Sequence, residues 1–199
     1  MASSDLDPIS QRIVRVAAQR FISEGYSGTS MLSVAKEART SKREIYDRFG
    51  SKEKLFEHVM DHLCQLGENE QNAPPAETLT DFMAGTARAV LKRFLLPETR
   101  GVLIAAFGAD SSFPEIPKLF WESGPGRAVS VLADHFVEHP DVAIKDAKTA
   151  RLEAHRFIMN CVAPFVLSFL FEPDYRVSKD ETDDAIASTI RQTLERIGS

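Results

Sequence analysis

Between Gly28 and Phe56 the chain places polar caps directly ahead of three apolar stripes, so several short helices must fit into a span of few residues. Thr29 or Ser30 caps the first of them, where Met31, Val34, Ala35 and Ala38 fall at i, i+3, i+4 and i+7. Arg39, Thr40 and Ser41 leave room only for a tight turn. Ser41-Lys42-Arg43-Glu44 has the spacing of a capping box, which Glu44 is expected to close. Ile45 and Phe49 supply the inward face of that helix, and Gly50 ends it. Ser51 starts another helix, with Leu55, Phe56, Val59, Met60 and Leu63 inward. Upstream, Asp7-Pro8 reads as a cap followed by a first-turn proline, with Ile13, Ala17 and Phe21 on one face and Gly25 as the stop.

No alternating β-branched run bounded by hairpin turns occurs, so an all-α fold is expected. The polar stretch 67–78, with its proline pair, reads as a linker. Further helices are expected near 77–96, 98–111, 115–138, 146–172 and 178–197, punctuated by Pro97, Pro114, Pro117, Pro125 and Pro140. The last opens with a second capping box, Ser178 to Glu181, and carries the stripe Ile186, Ile190, Leu194 and Ile197. The organisation expected is an N-terminal three-helix head at 1–56, a connecting helix at about 52–66, and a C-terminal helical bundle filling the body at 57–199.

Composition excludes several classes. At 199 residues, 43% hydrophobic and 27% charged, the chain is ordinarily globular rather than disordered. The run 157–171 is apolar but short for a membrane span and is interrupted by Asn160 and Ser168, so no membrane partner is expected. "MASSDLDPIS" shows no secretory signal, and Cys64 and Cys161 are expected to be free thiols, consistent with the cytoplasm. His58 with His62, and His135 with His139, have i, i+4 spacing, yet two histidines do not make a zinc site, and neither metal nor cofactor is expected. No Gly-rich phosphate loop and no nucleophile beside an obvious base is visible, so an enzyme is not expected.

The net charge of −5 disfavours nucleic acid, but its distribution does not. Through Phe56 there are ten basic and seven acidic residues, a local +3 that leaves −8 for the remainder. Two short helices joined by a tight turn within a three-helix cluster describe a helix-turn-helix, whose second helix enters the major groove. Lys42, Arg43, Tyr46 and Asp47 point away from Ile45 and Phe49. Ser30, Ser41 and Lys52 stand near helix starts, suited to backbone phosphates. With Arg48 these form the candidate DNA-contacting set.

The stretch "GTSMLSVAKEARTSKREIYDRFGSKEKLF", 28–56, resembles the head of the TetR family of transcriptional regulators. The resemblance rests on the Thr/Ser pair, an Ala-containing second helix, Ser-Lys opening the third, Tyr46, then Phe49-Gly50-Ser51-Lys52 and Leu55-Phe56. It covers roughly 9–60. Residues 111–129, "SSFPEIPKLFWESGPGRAV", look like a segment common in one large group of the family. Arg39 and Thr40 stand where the family usually has Gly and an apolar residue, so Arg39 is expected at positive φ. Asp47 stands where an aromatic or small residue is frequent. It is expected to accept from a cytosine amino group or to be neutralised by Arg43 or Arg48. The resemblance implies a phosphate contact from the Tyr46 hydroxyl and one from Lys52.

It also implies a homodimeric repressor on a pseudo-palindromic DNA operator, associated with the nucleoid and released by a small, largely apolar effector. Ten of the thirteen Phe lie in the body, along with Trp121. Candidate ligand-lining residues are Phe82, Thr86, Phe107, Phe120, Trp121, Phe157 and Asn160, the last because a polar amide in an apolar run must find a partner. Residues 157–171 show two apolar stripes, one through Phe157, Cys161, Pro164 and Ser168, the other through Ile158, Val162, Phe165 and Phe169. The second stripe, with Ile186, Ile190 and Leu194, is the candidate dimer interface. The alternatives are a DNA-binding, chromosome-organising protein without a ligand, and a helical small-molecule-binding protein.

Overall fold

The computed structural model describes residues 6–65, 78–107, 115–172 and 174–198, and among these residues it holds ten helices and no strand. They are α1 (Pro8–Gly28), α2 (Met31–Glu37), α3 (Lys42–Phe49), α4 (Lys52–Gln65), α5 (Leu79–Phe94), α6 (Pro97–Phe107), α7 (Glu115–Ser123), α8 (Pro125–Glu138), α9 (Ala147–Phe171) and α10 (Lys179–Ile197). The all-α expectation holds. The span expected as one helix at 115–138 is instead two, because Gly124 leaves helical geometry at φ −117°, ψ −109° and Pro125 starts afresh. The linker expected at 67–78 lies outside the described residues except for Thr78, whose hydroxyl caps α5.

The helices fall into two compact units, one of α1–α4 with α6 and α7, the other of α5 with α8, α9 and α10. An expected boundary at residue 56 does not coincide with this division, since α6 and α7 complete the hydrophobic core of the first unit through Val102 and Ile116. Gly101 permits the close approach of α6 to α1: a Cβ there would lie 2.3 Å from Ile22 Cγ2.

Local chemistry sets the helix ends of the first unit. Asp7 caps α1, accepting from the amides of Ile9 at 2.9 Å and Ser10 at 3.2 Å. Gly25, at φ 74°, breaks the helix, which resumes for one further turn. Thr29 then closes α1, its hydroxyl donating to the Gly25 carbonyl at 2.8 Å, and Ser30 alone caps α2. The core behind these ends is aromatic. Phe21 stacks on Tyr26 at 5.5 Å, and Phe56 meets both edge-on at 5.2 and 5.4 Å.

In the second unit α9 buries one continuous stripe, Ala150, Glu153, Ala154, Phe157, Ile158, Cys161, Val162, Phe165 and Phe169. By length and composition alone it could cross a membrane. Its buried stripe instead meets α5, α8 and α10, each carrying an apolar face of its own. The Cys161 thiol is pushed up to about 11 by burial, partly offset by a hydrogen bond with Thr189, so it stays protonated at neutral pH. Glu153 is 5% exposed and accepts from Arg156 at 2.5 Å and from Arg196 of α10 at 2.8 Å. Burial pushes its carboxyl upward, but the hydrogen bonds from Arg196 and Arg156 outweigh burial and the net direction is down.

A carboxyl depressed in the folded state stabilises above its unfolded pKa, and that contribution is lost as pH falls through the folded value. Glu153→Gln is therefore expected to lower stability near pH 7 by about 1–3 kcal/mol. Its urea midpoint should fall less steeply than that of wild type between about pH 5 and pH 3.

Candidate DNA-binding interface

The turn joining α2 to α3 is tight because Arg39 adopts φ 51°, as expected. The Thr40 amide donates to the Ala35 carbonyl at 2.9 Å and the Arg39 amide to Lys36 at 3.3 Å, the paired bonds of a Schellman close. The next carbonyl, of buried Ala38, accepts from Arg12 Nε of α1 at 2.9 Å. Arg20 adds a second clasp, bonding Glu37 at the end of α2 and Glu24 on its own helix, each at 2.6 Å. The turn thus sets the angle at which α3 leaves α2, and α1 holds it.

α3 is anchored by Ile45 and Phe49, 0% and 5% exposed. Phe49 meets His58 of α4 edge-on at 5.2 Å. Ser41 caps α3 by accepting from the Glu44 amide at 3.0 Å. Glu44 does not return the bond as expected. Its carboxylate pairs with Arg48 at 2.7 Å, in the favourable acid-before-base order.

Arg48 corrects a second expectation. Rather than lying on an open face, it reaches from α3 to the start of α1, bonding Asp7 at 2.5 Å and the Ser10 hydroxyl at 3.0 Å. The hydrogen bond with Glu44 is the chief cause raising its pKa, joined by that with Asp7 against the effect of burial. Asp7 is held below the usual range, first by the Ser10 amide. Arg48 fastens the recognition helix to the unit.

What α3 leaves in solvent is Ser41, Lys42, Arg43, Tyr46 and Asp47, all exposed. Lys42 Nζ lies 5.5 Å from the Tyr46 ring, and Arg43 pairs with Asp47 at 3.6 Å. Ser30 is exposed at the start of α2, in a reciprocal box with Ser33. Lys52, at the start of α4, sits over the Tyr26 ring at 4.2 Å, and burial lowers its pKa despite the opposing pull of Glu53. The Tyr26 hydroxyl donates to Glu53 at 3.1 Å.

The ligand candidates are distributed between the units. Phe82, Thr86, Phe157 and Asn160 belong to the second, Phe120 and Trp121 to the first, where Phe120 packs on the core. The side chain of Phe107, the last residue of α6, lies outside the described residues, as does that of Cys64. Phe157 is fully buried. Phe82 stacks on His135 at 3.8 Å, and the Thr86 hydroxyl donates back to the Phe82 carbonyl at 2.8 Å. Asn160 is exposed, so burial does not force a partner on it.

The dimer candidates need correcting. Ile158, Val162, Phe165, Phe169, Ile186 and Ile190 are all at most 7% exposed within their own unit, and Leu194 is half-buried. They are core residues. The two stripes read from sequence merge into one buried face, from which Pro164 and Ser168 are excluded. The large apolar side chains that α9 leaves in solvent lie on the opposite face, where Asn160, Pro164, Leu167 and Phe171 share one side, the last two 68% and 77% exposed. Continuing the line from polar Asn160 by helical spacing would have found it.

A helix-turn-helix with a clamped turn and a polar outward recognition helix defines a DNA-binding regulator. The family model for bacterial regulatory proteins of the TetR family matches residues 13–59, and that for the C-terminal domain of AefR-like transcriptional repressors matches 78–197. The chain belongs to the TetR family of transcriptional regulators. A 57-residue stretch is 37% identical to the HTH-type transcriptional repressor NicS of Pseudomonas putida, covering 29% of this chain and 27% of that protein. Among solved structures, the flavonoid-responsive regulator FrrA matches 96% of the chain and 97% of its own length, with TM-score 0.76 and 23% identity. A TetR-family regulator from Mesorhizobium loti matches 96% and 97%, with TM-score 0.71 and 21% identity. One from Agrobacterium tumefaciens matches 98% and 96%, with TM-score 0.70 and 17% identity. These last three likenesses are of fold.

Arg48→Ala is expected to lower the urea midpoint, because it removes the link from α3 to Asp7 and Ser10 at the start of α1. Urea unfolding measures the loss. Lys42→Ala, on the open face of the same helix, should leave the midpoint within about 0.5 kcal/mol of wild type.

Proposed function

We propose that the protein is a homodimeric repressor that acts in the cytoplasm on the nucleoid, binds a pseudo-palindromic operator and is released from it by a small, largely apolar effector. The observation that carries this reading is the division of charge on α3. Arg48 and Glu44 are consumed internally, while Lys42, Arg43 and Tyr46 remain outward on a helix held rigidly by Ile45 and Phe49. Ser30, Ser41 and Lys52 stand at helix starts, where they suit phosphates.

One eight-residue helix offers few base contacts, and two heads tied together bind as one unit. They would enter successive major grooves about 34–36 Å apart. The second copy would cover the outward face of α9, where Leu167 and Phe171 otherwise leave large apolar side chains in water. The outward side of α10, with Ala187, Ser188 and Arg191, would extend that face. An effector binding more tightly to a form with another head spacing would weaken operator binding by that difference in affinity. Phe82, Thr86 and Phe157 of the second unit are the residues proposed to meet it. FrrA is by name flavonoid-responsive, so flavonoids join apolar and cationic compounds in a thermal-shift panel.

The test is a gel shift with DNA flanking the protein's own coding region across a salt series. Wild type should bind with affinity falling steeply with salt, and Lys42→Ala should bind all sequences more weakly, with a log–log salt slope smaller by about one. No shift at low salt would defeat the reading. For the dimer, Leu167→Glu with Phe171→Glu should sediment as a monomer and lose operator affinity by about 100-fold or more, while still unfolding cooperatively. A wild type that sediments as a monomer would remove the dimer from the scheme.

A further inference from the structure

The carboxylate of Asp47 is unexplained by the stability of the helix that carries it. It lies in the C-terminal half of α3, where the helix dipole disfavours an acid. Its neighbour Arg43 precedes it by four residues, the weaker order for such a pair, and the two side chains are 90% and 65% exposed at a separation of 3.6 Å. The contrast with Glu44 and Arg48 is direct: that pair has the favourable order, a 2.7 Å contact and a place in the fold. Asp47 does none of this, and it faces outward on the helix proposed to approach a polyanion. A carboxylate is tolerated there only where a hydrogen-bond donor awaits it.

In the major groove the amino donors are cytosine N4 and adenine N6. Adenine N6 has the N7 acceptor beside it on the same base edge, which repels a carboxylate. Cytosine N4 has no acceptor on its own base edge, and its paired guanine offers O6 and N7 to a cation. A guanidinium donor and a carboxylate acceptor 3.6 Å apart match that edge in sign and in scale. We propose that the Arg43–Asp47 pair determines operator specificity, Asp47 accepting from the N4 amino group of a cytosine in each half-site and Arg43 donating to guanine of the same or the adjacent base pair. The assignment rests on the DNA-binding reading above and deepens it.

Random-sequence duplex selection with the full chain, at one fixed salt concentration, tests it in wild type and Asp47→Ala. Both side chains are exposed, so matching thermal melts establish that the variant is folded. Wild type should select one invariant cytosine per half-site. Asp47→Ala should lose preference at that position alone, with about tenfold discrimination gone and overall affinity for unrelated duplex equal or higher. N4-methylcytosine at that position, which pairs with guanine through its remaining amino hydrogen and turns its methyl group to the major groove, should weaken wild type about tenfold and leave Asp47→Ala unchanged. An identical selected sequence for wild type and Asp47→Ala, or no effect of N4-methylation, overturns the assignment while leaving DNA binding intact. Selection of no duplex by wild type overturns the DNA-binding reading and this assignment with it.

Discussion

Everything the head presents to solvent depends on the burial of two side chains, Ile45 and Phe49. An eight-residue helix rich in charge does not persist alone in water, because nucleation costs more than so few hydrogen bonds return. Docking those two residues onto the core shared by Phe21, Tyr26 and Phe56 supplies the missing stabilisation, about 1.5–3 kcal/mol for each large apolar side chain buried. The caps at Ser41 and Gly50 then set where the helix begins and ends. The orientation of Lys42, Arg43, Tyr46 and Asp47 follows from that anchorage, since they occupy the other side of the same short cylinder.

Charge in the head is divided between construction and display. Arg12, Arg20 and Arg48 each tie one element to another, the first through the carbonyl that ends α2, the others through carboxylates on neighbouring helices. These arginines are spent on geometry. A chain of net charge −5 can still present cations where they are needed, since Lys42 and Arg43 stand exposed on α3. Placement rather than total charge decides what a surface attracts.

The second unit solves a different problem. Its long helix α9 must satisfy neighbours on several sides while keeping a buried carboxylate, Glu153, in balance with two arginines. Its outward end carries Leu167 and Phe171 in water, the face that the proposed second copy would cover. Pro164, between them and Asn160, lacks the amide that would bond the Asn160 carbonyl and so adds to the irregular character of that face.

Helix starts and stops could be read from residue order, because a cap bonds an amide two or three positions away. Asp7, Ser41 and the Ser178 box all formed where their spacing placed them, and Arg39 took positive φ because a three-residue turn leaves no other route. The family pattern of residues 28–56 was legible for the same reason, since every part of it is local. The role of Arg48 was not, because its partners Asp7 and Ser10 lie across the fold and a charged side chain carries no mark of whether it will meet a carboxylate or water. The stripes of α9 misled similarly. Periodicity shows that a helix has apolar sides, but which side becomes core depends on the helices arriving against it, here α8 and α10 on either side in sequence and α5 from farther away.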